Sequence, residues 1–345
     1  MARMKILAIE TSCDDTSVAV VEQRRGGRVR VLACVTASQI PIHRRYGGVV
    51  PEVAARAHAE TLVPTIRETF AQLGKNPDRA MRQPPIDAVA VTCGPGLVTS
   101  LWVGVTAAKL FAREWGVPLF GVNHMAGHLF SSLIDRPLPA FPCLGLIVSG
   151  GHTELIWLSS ATSWKKMSAT RDDAAGEAFD KFAKLLGLPY PGGPEIARRA
   201  ARGKKNAVAF PRPMIADVSL DFSFAGLKTA GRTWAESQKK LTPRLIADAC
   251  ASYQAAIVDV LIAKTMRAAD EKKPKTILLG GGVATNDALR DALTAACATR
   301  KIALLIPEKK YTTDNAAMIG AAAFIAPRKF KASWRSLTAN PSFEL

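Results

Sequence analysis

Apolar and polar positions form a pattern along the chain that occurs twice. Residues 6–9 are a short apolar run, followed by polar residues and by a second apolar run at residues 18–21. The same arrangement recurs over residues 143–158, around the glycine-rich turn Ser149-Gly150-Gly151-His152-Thr153. Two short apolar runs separated by turn residues are typical of a β-hairpin. The sequence therefore predicts one hairpin in each half of the chain.

Each half also contains a strand, a glycine turn and a helix in succession. Residues 88–115 pass through Gly94-Pro95-Gly96 into a helical period, and residues 276–299 pass through Gly280-Gly281-Gly282 into a helix that begins near Asn286. This succession is the local form of many anion-binding sites in α/β proteins. We therefore predict a duplicated α/β fold with two lobes around a central nucleotide cleft.

The boundary between the lobes is predicted where prolines cluster, at residues 137–142. We expect an N-terminal lobe over residues 1–135 and a C-terminal lobe over residues 136–345. Additional helical patterns occur at residues 176–186 and 242–270, the second of which opens with a Thr-Pro pair. The C-terminal lobe is therefore expected to carry helical insertions.

The charge of the chain is strongly positive. Lysine and arginine number 46 against 29 aspartate and glutamate residues, so the 345-residue chain has a formal net charge of +17, spread along its length. Such an excess attracts polyanions, although ordinary solubility explains it equally well. Charge makes nucleic acid a candidate partner and leaves the reaction open.

Cysteine spacing and the first residues indicate the compartment. None of the six cysteines forms a C-x-x-C pair, as is typical of reduced thiols in a cytoplasmic protein. Residues 1–5 lead directly into an apolar strand without the apolar region of a signal peptide, and no stretch suggests a membrane span. We therefore expect a cytoplasmic protein that makes no membrane contact. The cysteines are Cys13, Cys34, Cys93, Cys143, Cys250 and Cys297.

The segment Asn123-His124-Met125-Ala126-Gly127-His128 has the spacing of a metal site. If Asn123 caps a helix, His124 and His128 lie one turn apart on the same face, where two imidazoles can hold one metal ion. Ordinary surface or core histidines are about as frequent at such spacing. A zinc protease of the H-E-x-x-H type would have glutamate in place of Met125, so the general base of that chemistry is missing.

A third ligand is required, and Asp314 is the candidate. Thr312 or Thr313 could cap a helix that begins near Asp314 and thereby fix the direction of its carboxylate. Two histidines and one aspartate suit iron or zinc with open coordination positions. Alternatively, Asp314 complements the dipole at the first turn of that helix, and both interpretations can hold together.

Three glycine elements predict a nucleotide or phosphorylated ligand. Gly150-Gly151, Gly192-Gly193 and the glycines at 280–282 permit close backbone approach and positive φ, so that backbone N–H groups can bind phosphate. Asn286 could cap the following helix or bond a base or ribose. Asp180 is a solvated carboxylate by default, or an acceptor for ribose hydroxyl groups if a nucleotide binds.

Ten motifs, in order between residue 4 and about residue 326, resemble the TsaD family of bacterial tRNA threonylcarbamoyl transferases. Residues 327–345 lie outside them. The motifs are Ile9-Glu10-Thr11-Ser12-Cys13-Asp14, Tyr46-Gly47-Gly48-Val49-Val50-Pro51-Glu52, Gly94-Pro95-Gly96-Leu97, His124-Met125-Ala126-Gly127-His128, Val148-Ser149-Gly150-Gly151-His152-Thr153, Gly176-Glu177-Ala178-Phe179-Asp180-Lys181, Tyr190-Pro191-Gly192-Gly193-Pro194, Phe222-Ser223-Phe224-Ala225-Gly226-Leu227-Lys228, Gly281-Gly282-Val283-Ala284-Thr285-Asn286 and Thr313-Asp314-Asn315.

The resemblance implies the duplicated fold of the actin, sugar kinase and Hsp70 (ASKHA) superfamily. It implies one divalent metal ion per chain, Fe²⁺ with Zn²⁺ as the alternative, held by His124, His128 and Asp314. It also implies an adenylate substrate, or ATP or AMP, in the cleft. The residues implied to bind that nucleotide are Ile147, Val148, Ser149, Gly150, Gly151, Asp180, Gly193 and Asn286.

The reaction implied by the resemblance is an acyl transfer. The threonylcarbamoyl group passes from L-threonylcarbamoyladenylate to N6 of adenosine 37 in tRNAs that read codons beginning with A, forming t6A37 and releasing AMP. No residue stands out as a dedicated general base. Glu10, Asp14 and His152 are the candidates if the two hairpin turns face each other across the cleft, with Glu195 behind them. Glu10 could equally serve only to order its turn.

The resemblance also implies partners. They are the related protein TsaB, bound through the N-terminal lobe as a heterodimer, the small ATPase TsaE, a TsaC-type synthase that supplies the adenylate, and tRNA. Basic segments at residues 24–30, 43–45 and 198–205 are the expected contacts to tRNA phosphates, and each could instead be a solvated face.

Three other functions remain possible from the residues alone. A sugar or acetate kinase of the same superfamily would share the hairpins and glycine turns, but would need an aspartate base and Mg²⁺ in place of a two-histidine site. A metalloprotease is disfavoured by Met125. A non-catalytic partner of the TsaB type should lack His124, His128 and Asp314, which this chain has.

Overall fold

The computed structural model describes residues 4–24 and 26–345, which form a mixed α/β protein. Two compact units divide the chain. The first comprises Met1–Pro139, Ala161–Ser163 and Lys310–Leu345, and the second comprises Ala140–Ser160 and Trp164–Lys309. Each unit is built around one β-sheet.

The strands are short and mostly apolar. They are β1 (Lys5–Glu10), β2 (Asp15–Gln23), β3 (Val29–Ser38), β4 (Ala88–Gly94), β5 (Leu119–Asn123), β6 (Cys143–Val148), β7 (Thr153–Ser160), β8 (Ser163–Ala169), β9 (Thr276–Gly280), β10 (Ala303–Leu305) and β11 (Lys331–Ala332).

The helices vary from one turn to eight turns. They are α1 (Ile40–Arg44), α2 (Pro51–Gln72), α3 (Pro77–Arg82), α4 (Val98–Glu114), α5 (His124–Ser131), α6 (Ala175–Leu185), α7 (Gly192–Ala200), α8 (Ala225–Ser237), α9 (Pro243–Lys272), α10 (Asp287–Arg300), α11 (Ala316–Ile325) and α12 (Pro327–Phe330). Single 3₁₀ turns occur at Gly282–Thr285 and Lys309–Tyr311.

The first unit has a six-stranded sheet in the order β11-β5-β4-β1-β2-β3. Strand β1 pairs antiparallel with β2, with Ile9 opposite Val18, and parallel with β4 on its other side. The inner strands are buried over almost their whole length, because helices cover the sheet and strands buried on both faces are continuously apolar. The predicted hairpin at residues 6–21 is confirmed.

The second unit has a five-stranded sheet in the order β10-β9-β6-β7-β8. Strand β6 pairs antiparallel with β7 and parallel with β9, and β9 pairs parallel with β10. The central part of this order repeats that of the first sheet, with β6 in the place of β1 and β9 in the place of β4. The second hairpin and the predicted duplication of the α/β motif are therefore present in the structure.

The structure divides the chain differently from the predicted domains at 1–135 and 136–345. The first unit runs to Pro139, close to the predicted boundary at residue 135. Residues 310–345, however, belong to the first unit and not to the second. Helix α11 is almost entirely buried against β1, β2 and α5, because Gly320 leaves room for Val21 and Ala8 of the sheet. Strand β11 then pairs with β5. A prediction with one domain boundary cannot describe a unit that contains both the beginning and the end of the chain.

The predicted helices of the second unit are present, with small shifts of their ends. The pattern at residues 176–186 is α6, and the Thr-Pro pair opens α9, where the Thr242 hydroxyl accepts a hydrogen bond from the Leu245 N–H at 3.3 Å. Within the described residues, α9 is the one helix long and apolar enough to cross a membrane, contrary to the expectation that no stretch suggests a span. Of its most apolar window, 67% is buried inside the protein, so α9 is a core helix of this unit.

All six cysteines are free thiols in the structure. Burial raises the pKa of Cys93 to about 12 and that of Cys143 to about 11, which keeps both thiols protonated. The free thiols agree with the predicted reduced cysteines, although Cys13 and Cys34 are only partly buried.

Candidate functional site

Helix α5 presents two imidazoles one turn apart. The Asn123 side chain accepts hydrogen bonds from the N–H groups of Met125 at 2.8 Å and Ala126 at 3.1 Å, as predicted for a capping residue. The rings of His124 and His128 are buried, with centroids 4.6 Å apart and planes at 80°. Gly127 lies between them, and a side chain there would overlap α11. The sequence prediction of helix, cap and shared face is confirmed.

Asp314 completes the group of ligand atoms. Its Oδ1 lies 3.4 Å from Nε2 of His124 and 3.2 Å from Nε2 of His128. Among the described residues, these three side chains form the one cluster whose ligand atoms all lie within 4.8 Å of one another. The helix begins close to the predicted place, but the predicted cap at Thr312 or Thr313 was wrong, since α11 begins at Ala316 and is capped by Asn315. Asp314 therefore stands on the turn before the helix.

Polar groups contact His124 on the side of the ring away from Asp314. The Nδ1 atom of His124 lies 3.0 Å from Oε2 of Glu10 and 3.1 Å from Oγ of Ser12. Glu10 accepts two further hydrogen bonds, from the Ser12 N–H at 2.5 Å and the Thr92 hydroxyl at 2.6 Å. This carboxylate is fully buried and all its partners belong to the protein. A role for Glu10 in orienting His124 therefore fits better than a role as the base that takes a proton from the substrate.

The charges of this cluster are strongly coupled. Burial alone would lower the pKa of His124, but the carboxylates of Glu10 and Asp314 outweigh it and raise that pKa to about 10. Burial alone would raise the pKa of Asp314 and of Glu10, but the charge of His124 lowers both. Desolvation lowers the pKa of His128. In the absence of a metal ion, the cluster therefore favours a protonated His124 between the ionised carboxylates of Glu10 and Asp314.

The residues of this cluster fit a divalent metal ion. Both ring nitrogens of His128 are buried without a hydrogen bond of normal geometry among the described residues, and the one close polar contact is that of Nε2 with Oδ1 of Asp314 at 3.2 Å. A buried imidazole that lacks hydrogen bonds is costly unless another group, such as a metal, binds it. The carboxylate behind His124 is the usual support of a metal-binding histidine. Two nitrogens and one oxygen make a set suited to iron or zinc.

Two further carboxylates follow at the turn between β1 and β2. Burial raises the pKa of Asp14, and the charge of Asp314 raises it further. Burial and the same neighbouring charges raise the pKa of Asp15 to about 7, and its Oδ1 is buried without a hydrogen-bond partner among the described residues. The sequence singled out Asp14 but missed Asp15, Ser12 and Thr92. Adjacent acids in a turn were the available signal for Asp15, whereas only the fold brings Thr92 to Glu10.

In the second unit, the turn after β6 is built from backbone groups. Ile147 and Val148 end the strand, and the turn is closed by a hydrogen bond from the Ser149 N–H to the His152 carbonyl at 2.8 Å. Gly150 and Gly151 are exposed, and a side chain at either position would meet no atom within 4 Å. The backbone of this turn is therefore accessible to a ligand.

Two other glycines allow neighbouring segments to approach this turn. Gly176, at the start of α6, donates its N–H to the Ser149 carbonyl at 3.1 Å and would overlap Ser149 if it carried a side chain. Gly281 has a φ of 93° and would overlap the Val148 carbonyl. Of the glycines that could adopt a positive φ, Gly281 does so, whereas the pairs at 150–151 and 192–193 have ordinary backbone angles.

Asp180 and Asn286 are both engaged by their own unit. Oδ1 of Asp180 accepts hydrogen bonds from the N–H groups of Gly192 at 2.7 Å and Gly193 at 3.3 Å, so it fixes the start of α7 and is not the predicted solvated carboxylate. Asn286 accepts from the Leu289 N–H at 3.2 Å, as a cap of α10, and donates to Oε1 of Gln254 at 2.8 Å. The capping interpretation of Asn286 is correct.

The structure groups the predicted residues by unit. Glu10, Asp14 and the three candidate ligands lie in the first unit, whereas His152 and all predicted nucleotide-binding residues lie in the second. In the second unit, the contacts of Gly176 and Gly281 bring the starts of α6 and the 3₁₀ turn to the end of β6, and Asp180 follows one turn along α6. Glu195 forms ion pairs with Arg198 and Arg199, which leaves it a weak candidate for a base.

Comparison with known proteins identifies relatives over the full chain. The family model described as TsaD, tRNA N6-adenosine threonylcarbamoyltransferase, matches residues 30–321. A protein of that name from Anaeromyxobacter dehalogenans is 48% identical over 342 residues, with 99% of each chain covered. Another from Moorella thermoacetica is 46% identical, with 99% of this chain and 97% of that protein covered.

Solved structures with low sequence identity share the fold. HypF from T. kodakarensis matches 96% of this chain with a TM-score of 0.60 at 14% identity, and the chain spans about half the length of that protein, 48%. Component A of (R)-2-hydroxyglutaryl-CoA dehydratase from Acidaminococcus fermentans matches 94% of this chain and 98% of its own, with a TM-score of 0.50 at 13% identity. These similarities, with the repeated sheet order, place the chain in the ASKHA fold class.

Proposed function

Because the chain belongs to the TsaD family of tRNA N6-adenosine threonylcarbamoyltransferases, we propose a role in the transfer for each of its two sites. The enzyme moves the threonylcarbamoyl group from L-threonylcarbamoyladenylate to N6 of adenosine 37 in tRNAs that read codons beginning with A. The products are t6A37 and AMP. The observation that carries this function is identity of 48% over 99% of the chain with a relative of that name.

The second unit binds the adenylate. The exposed backbone at Gly150 and Gly151 offers N–H groups to the acyl-phosphate oxygens, and Ile147, Val148 and Ser149 hold that turn at the end of β6. Asp180 fixes Gly193 at the start of α7, and Asn286 fixes the start of α10, so these residues frame the AMP half through the backbone they hold. Rigid backbone donors favour transfer because the leaving phosphate is stabilised without reorganisation.

The first unit holds one divalent metal ion through His124, His128 and Asp314. Fe²⁺ is the proposed metal and Zn²⁺ the alternative, since the donor set suits both. Bound there, the ion would act as a Lewis acid toward oxygens of the threonylcarbamoyl group. Glu10 orients His124 through its Nδ1 atom, and the Ser12 hydroxyl supports the same nitrogen.

The attacking amine must lose a proton when the new N–C bond forms and AMP leaves. Among the proposed bases, Asp14 is favoured over Glu10, because burial raises the pKa of Asp14 while His124 holds that of Glu10 down. His152, beside the glycine turn of the second unit, is the alternative acceptor. We expect Asp14→Asn to lower the rate of transfer while nucleotide binding is kept.

A TsaB-type partner is proposed to bind the first unit. Helix α4 exposes Val98, Trp102 and Leu110, which lie within about 120° of one another around its axis. Helix α2 packs against α4 and exposes Val63. An exposed apolar stripe on packed helices is typical of a helix-to-helix interface. TsaE and a TsaC-type synthase remain proposed partners by family membership alone. Loss of TsaB binding on Trp102→Ala, measured by gel filtration of the mixture, tests the stripe.

The basic segments differ as candidate tRNA contacts. Arg25, in the segment at residues 24–30, lies outside the described residues. His43 is buried against Gln39, so the segment at 43–45 offers only its two arginines, which corrects the prediction. In the segment at 198–205, residues 201–205 form a loop that is exposed except at Gly203, and the Lys204 N–H donates to Asp248 of α9 at 2.7 Å.

The loop at residues 201–205 gains basic neighbours from the fold. The Arg244 guanidinium reaches the Arg202 carbonyl at 3.5 Å, which brings the start of α9 to the loop. Lys239 and Lys240 lie shortly before it and are exposed. We propose this combined surface as the main tRNA phosphate contact. Alanine at Lys204, Lys205 and Lys240 should flatten the salt dependence of tRNA binding, whereas alanine at Lys272 and Lys275, at the other end of α9, should not.

One assay tests the function as a whole. Unmodified tRNA is incubated with the enzyme and L-threonylcarbamoyladenylate, with and without TsaB and TsaE, and the tRNA nucleosides are measured by mass spectrometry. Formation of t6A supports the function, and a phosphorylated small molecule in its place would favour a kinase. A His124→Ala, His128→Ala variant that kept full transfer without bound metal would contradict the proposed metal site.

A further inference from the structure

Residues 333–343 lie across the ends of β4 and β5 in the first unit, and this segment is here called the strap. It follows β11, which pairs with β5 through Lys331 opposite Phe120. Trp334 and Leu337 pack against the apolar core of the unit, and the carbonyl of Leu337 accepts a hydrogen bond from Nζ of Lys109 at 2.9 Å. The strap lies outside the sequence motifs, and the proposed function gives it no role.

The strap is fitted to the glycine loop after β4. The Asn340 N–H donates to the Cys93 carbonyl at 2.7 Å, and the Gly96 N–H donates to the Pro341 carbonyl at 3.4 Å. A side chain at Gly94 would overlap the Asn340 carbonyl, and one at Gly121 of β5 would come within 2.5 Å of Leu337. The absence of side chains at both glycines therefore creates the space that the strap occupies.

Asn123 connects the strap to the metal-site helix. Its Nδ2 donates to the Phe343 carbonyl at 2.8 Å, while its Oδ1 accepts from the first N–H groups of α5, those of Met125 and Ala126. Asn123 is buried, so both ends of its amide depend on protein partners. The strap therefore fixes the orientation of the amide that begins the helix of His124 and His128.

A second connection passes through the glycine loop to Ser12. Next to Gly96, the Leu97 N–H donates to the Ser12 carbonyl at 2.8 Å, and a side chain at Gly96 would lie 2.6 Å from the same oxygen. The Ser12 hydroxyl lies 3.1 Å from Nδ1 of His124. Both connections from the strap thus end at His124, one through its helix and one through its ring.

We propose that the strap is a positioning element for the metal site, with Asn123 as the positioning residue that transmits its effect to His124 and His128. The inference deepens the proposed metal site and rests on it. Attached, the strap holds the two imidazoles in the geometry that binds a divalent ion. Detached, it leaves the Asn123 amide without its acceptor, and the first turn of α5 opens more often.

Two variants separate this role from general stability. Trp334→Ala with Leu337→Ala removes two large apolar anchors of the strap. Asn123→Ser keeps a neutral capping oxygen but cannot also reach the Phe343 carbonyl. Thr338→Ala is the matched control, because Thr338 is exposed and directly follows Leu337. Each full-length protein is examined without metal by hydrogen exchange and then titrated with Co²⁺, whose visible spectrum reports ligand geometry.

We expect both variants to exchange the amides of Met125 and Ala126 roughly 10-fold faster than the unchanged protein. Co²⁺ should bind roughly 10- to 100-fold more weakly with an altered spectrum, as for loss of other supports of metal ligands. Combining the changes should add little, because both act on one connection. The Thr338→Ala control should match the unchanged protein in exchange and in Co²⁺ affinity.

Unchanged exchange in α5 and unchanged Co²⁺ affinity in Asn123→Ser would overturn the proposal, since that variant cuts the connection whether or not the strap detaches. The Trp334→Ala, Leu337→Ala variant gives an independent test. If its Asn340 amide exchanged freely, which shows that the strap is detached, while α5 exchange and Co²⁺ affinity stayed unchanged, the proposal would also be overturned. Failure of the unchanged protein to bind Co²⁺ would instead contradict the metal site. Transfer kinetics give a further test, with a fall in kcat and an unchanged KM for tRNA expected.

Discussion

The two units present their polar groups in opposite ways. In the first unit, the candidate site consists of buried side chains, Glu10, His124, His128 and Asp314, each of which contacts another member. In the second unit, it consists of exposed backbone at Gly150-Gly151, held by contacts outside the site. One sheet order, repeated, thus supports two kinds of chemistry.

The difference shows where each site is sensitive. Buried charges interact strongly because little water screens them, so a change at one side chain shifts the pKa of the others. A backbone site has no such coupling and depends on the shape of the glycine contacts behind it. We therefore expect the first site to respond to changes of charge and the second to changes of volume.

The largest effect is expected from loss of a ligand in the first unit. His128→Ala should remove metal binding and lower kcat by about 10²–10³-fold, the cost of losing a preorganised electrostatic contribution. AMP binding to the second unit should change little. Metal content by mass spectrometry of the native protein, transfer rates and calorimetry with AMP measure the three quantities.

Ser131 provides a control on the same helix, since its hydroxyl donates a hydrogen bond to the backbone carbonyl of His128 at 2.8 Å and makes no hydrogen bond to the imidazole. Ser131→Ala should keep metal and activity. If His128→Ala weakened AMP binding as much as it weakened metal binding, the separation of the two sites would be incorrect.

The second effect concerns volume in the other unit. Gly281→Ala places a side chain against the Val148 carbonyl at a φ of 93°, and we expect a loss of about 2 kcal/mol or more in the free energy of unfolding. Gly150→Ala, where the new atom meets nothing, should stay within about 0.5 kcal/mol. Denaturant unfolding of both variants measures the difference. Equal stability of the two would show that the turn relaxes around Gly281.

The third effect separates orientation from coordination. Glu10→Gln keeps the shape of the side chain but removes its charge, so His124 loses its strongest electrostatic partner. Metal affinity should fall about 10- to 100-fold, as for other groups that support metal ligands, while one ion still binds. Competition with a chelator measures the affinity. Complete loss of metal, as in His128→Ala, would make Glu10 a ligand in its own right.

The last effect, which is small over any one pH unit, is a dependence of stability on pH. In the metal-free protein the pKa of His124 is about 10, above its ordinary value of 6.5, so the protonated ring stabilises the fold most below pH 6.5. That contribution is lost as pH rises toward 10, by at most about 1.4 kcal/mol per pH unit. Denaturant unfolding between these pH values should show the decline.

Glu10→Gln sharpens this pH test. Without that carboxylate the pKa of His124 should move down, and the decline should be smaller and complete at lower pH. A stability that rose with pH over this range in the metal-free protein would contradict the proposed charge state of the cluster.

Local features followed from the sequence because local physics decides them. The capping oxygen of Asn123, the one-turn spacing of His124 and His128, and the opening of α9 at Thr242 depend on residues within one turn of each other. The two hairpins followed from apolar runs of strand length around polar turns. The reaction was predicted from the family motifs, because the pattern of apolar and polar residues carries no information about the substrate.

Tertiary structure decided what lies behind these features. Thr92 is a neighbour of Glu10 only because β4 pairs with β1, and residues 310–345 join the first unit only because α11 fills a space on its sheet. The same holds for the strap and for the pKa of Asp15, which depends on burial and on charges far away in sequence. The sequence determined which groups could act, because side-chain chemistry and turn periodicity are local properties. Packing determined which of them meet and with what charge, because desolvation and distance are properties of the folded chain alone.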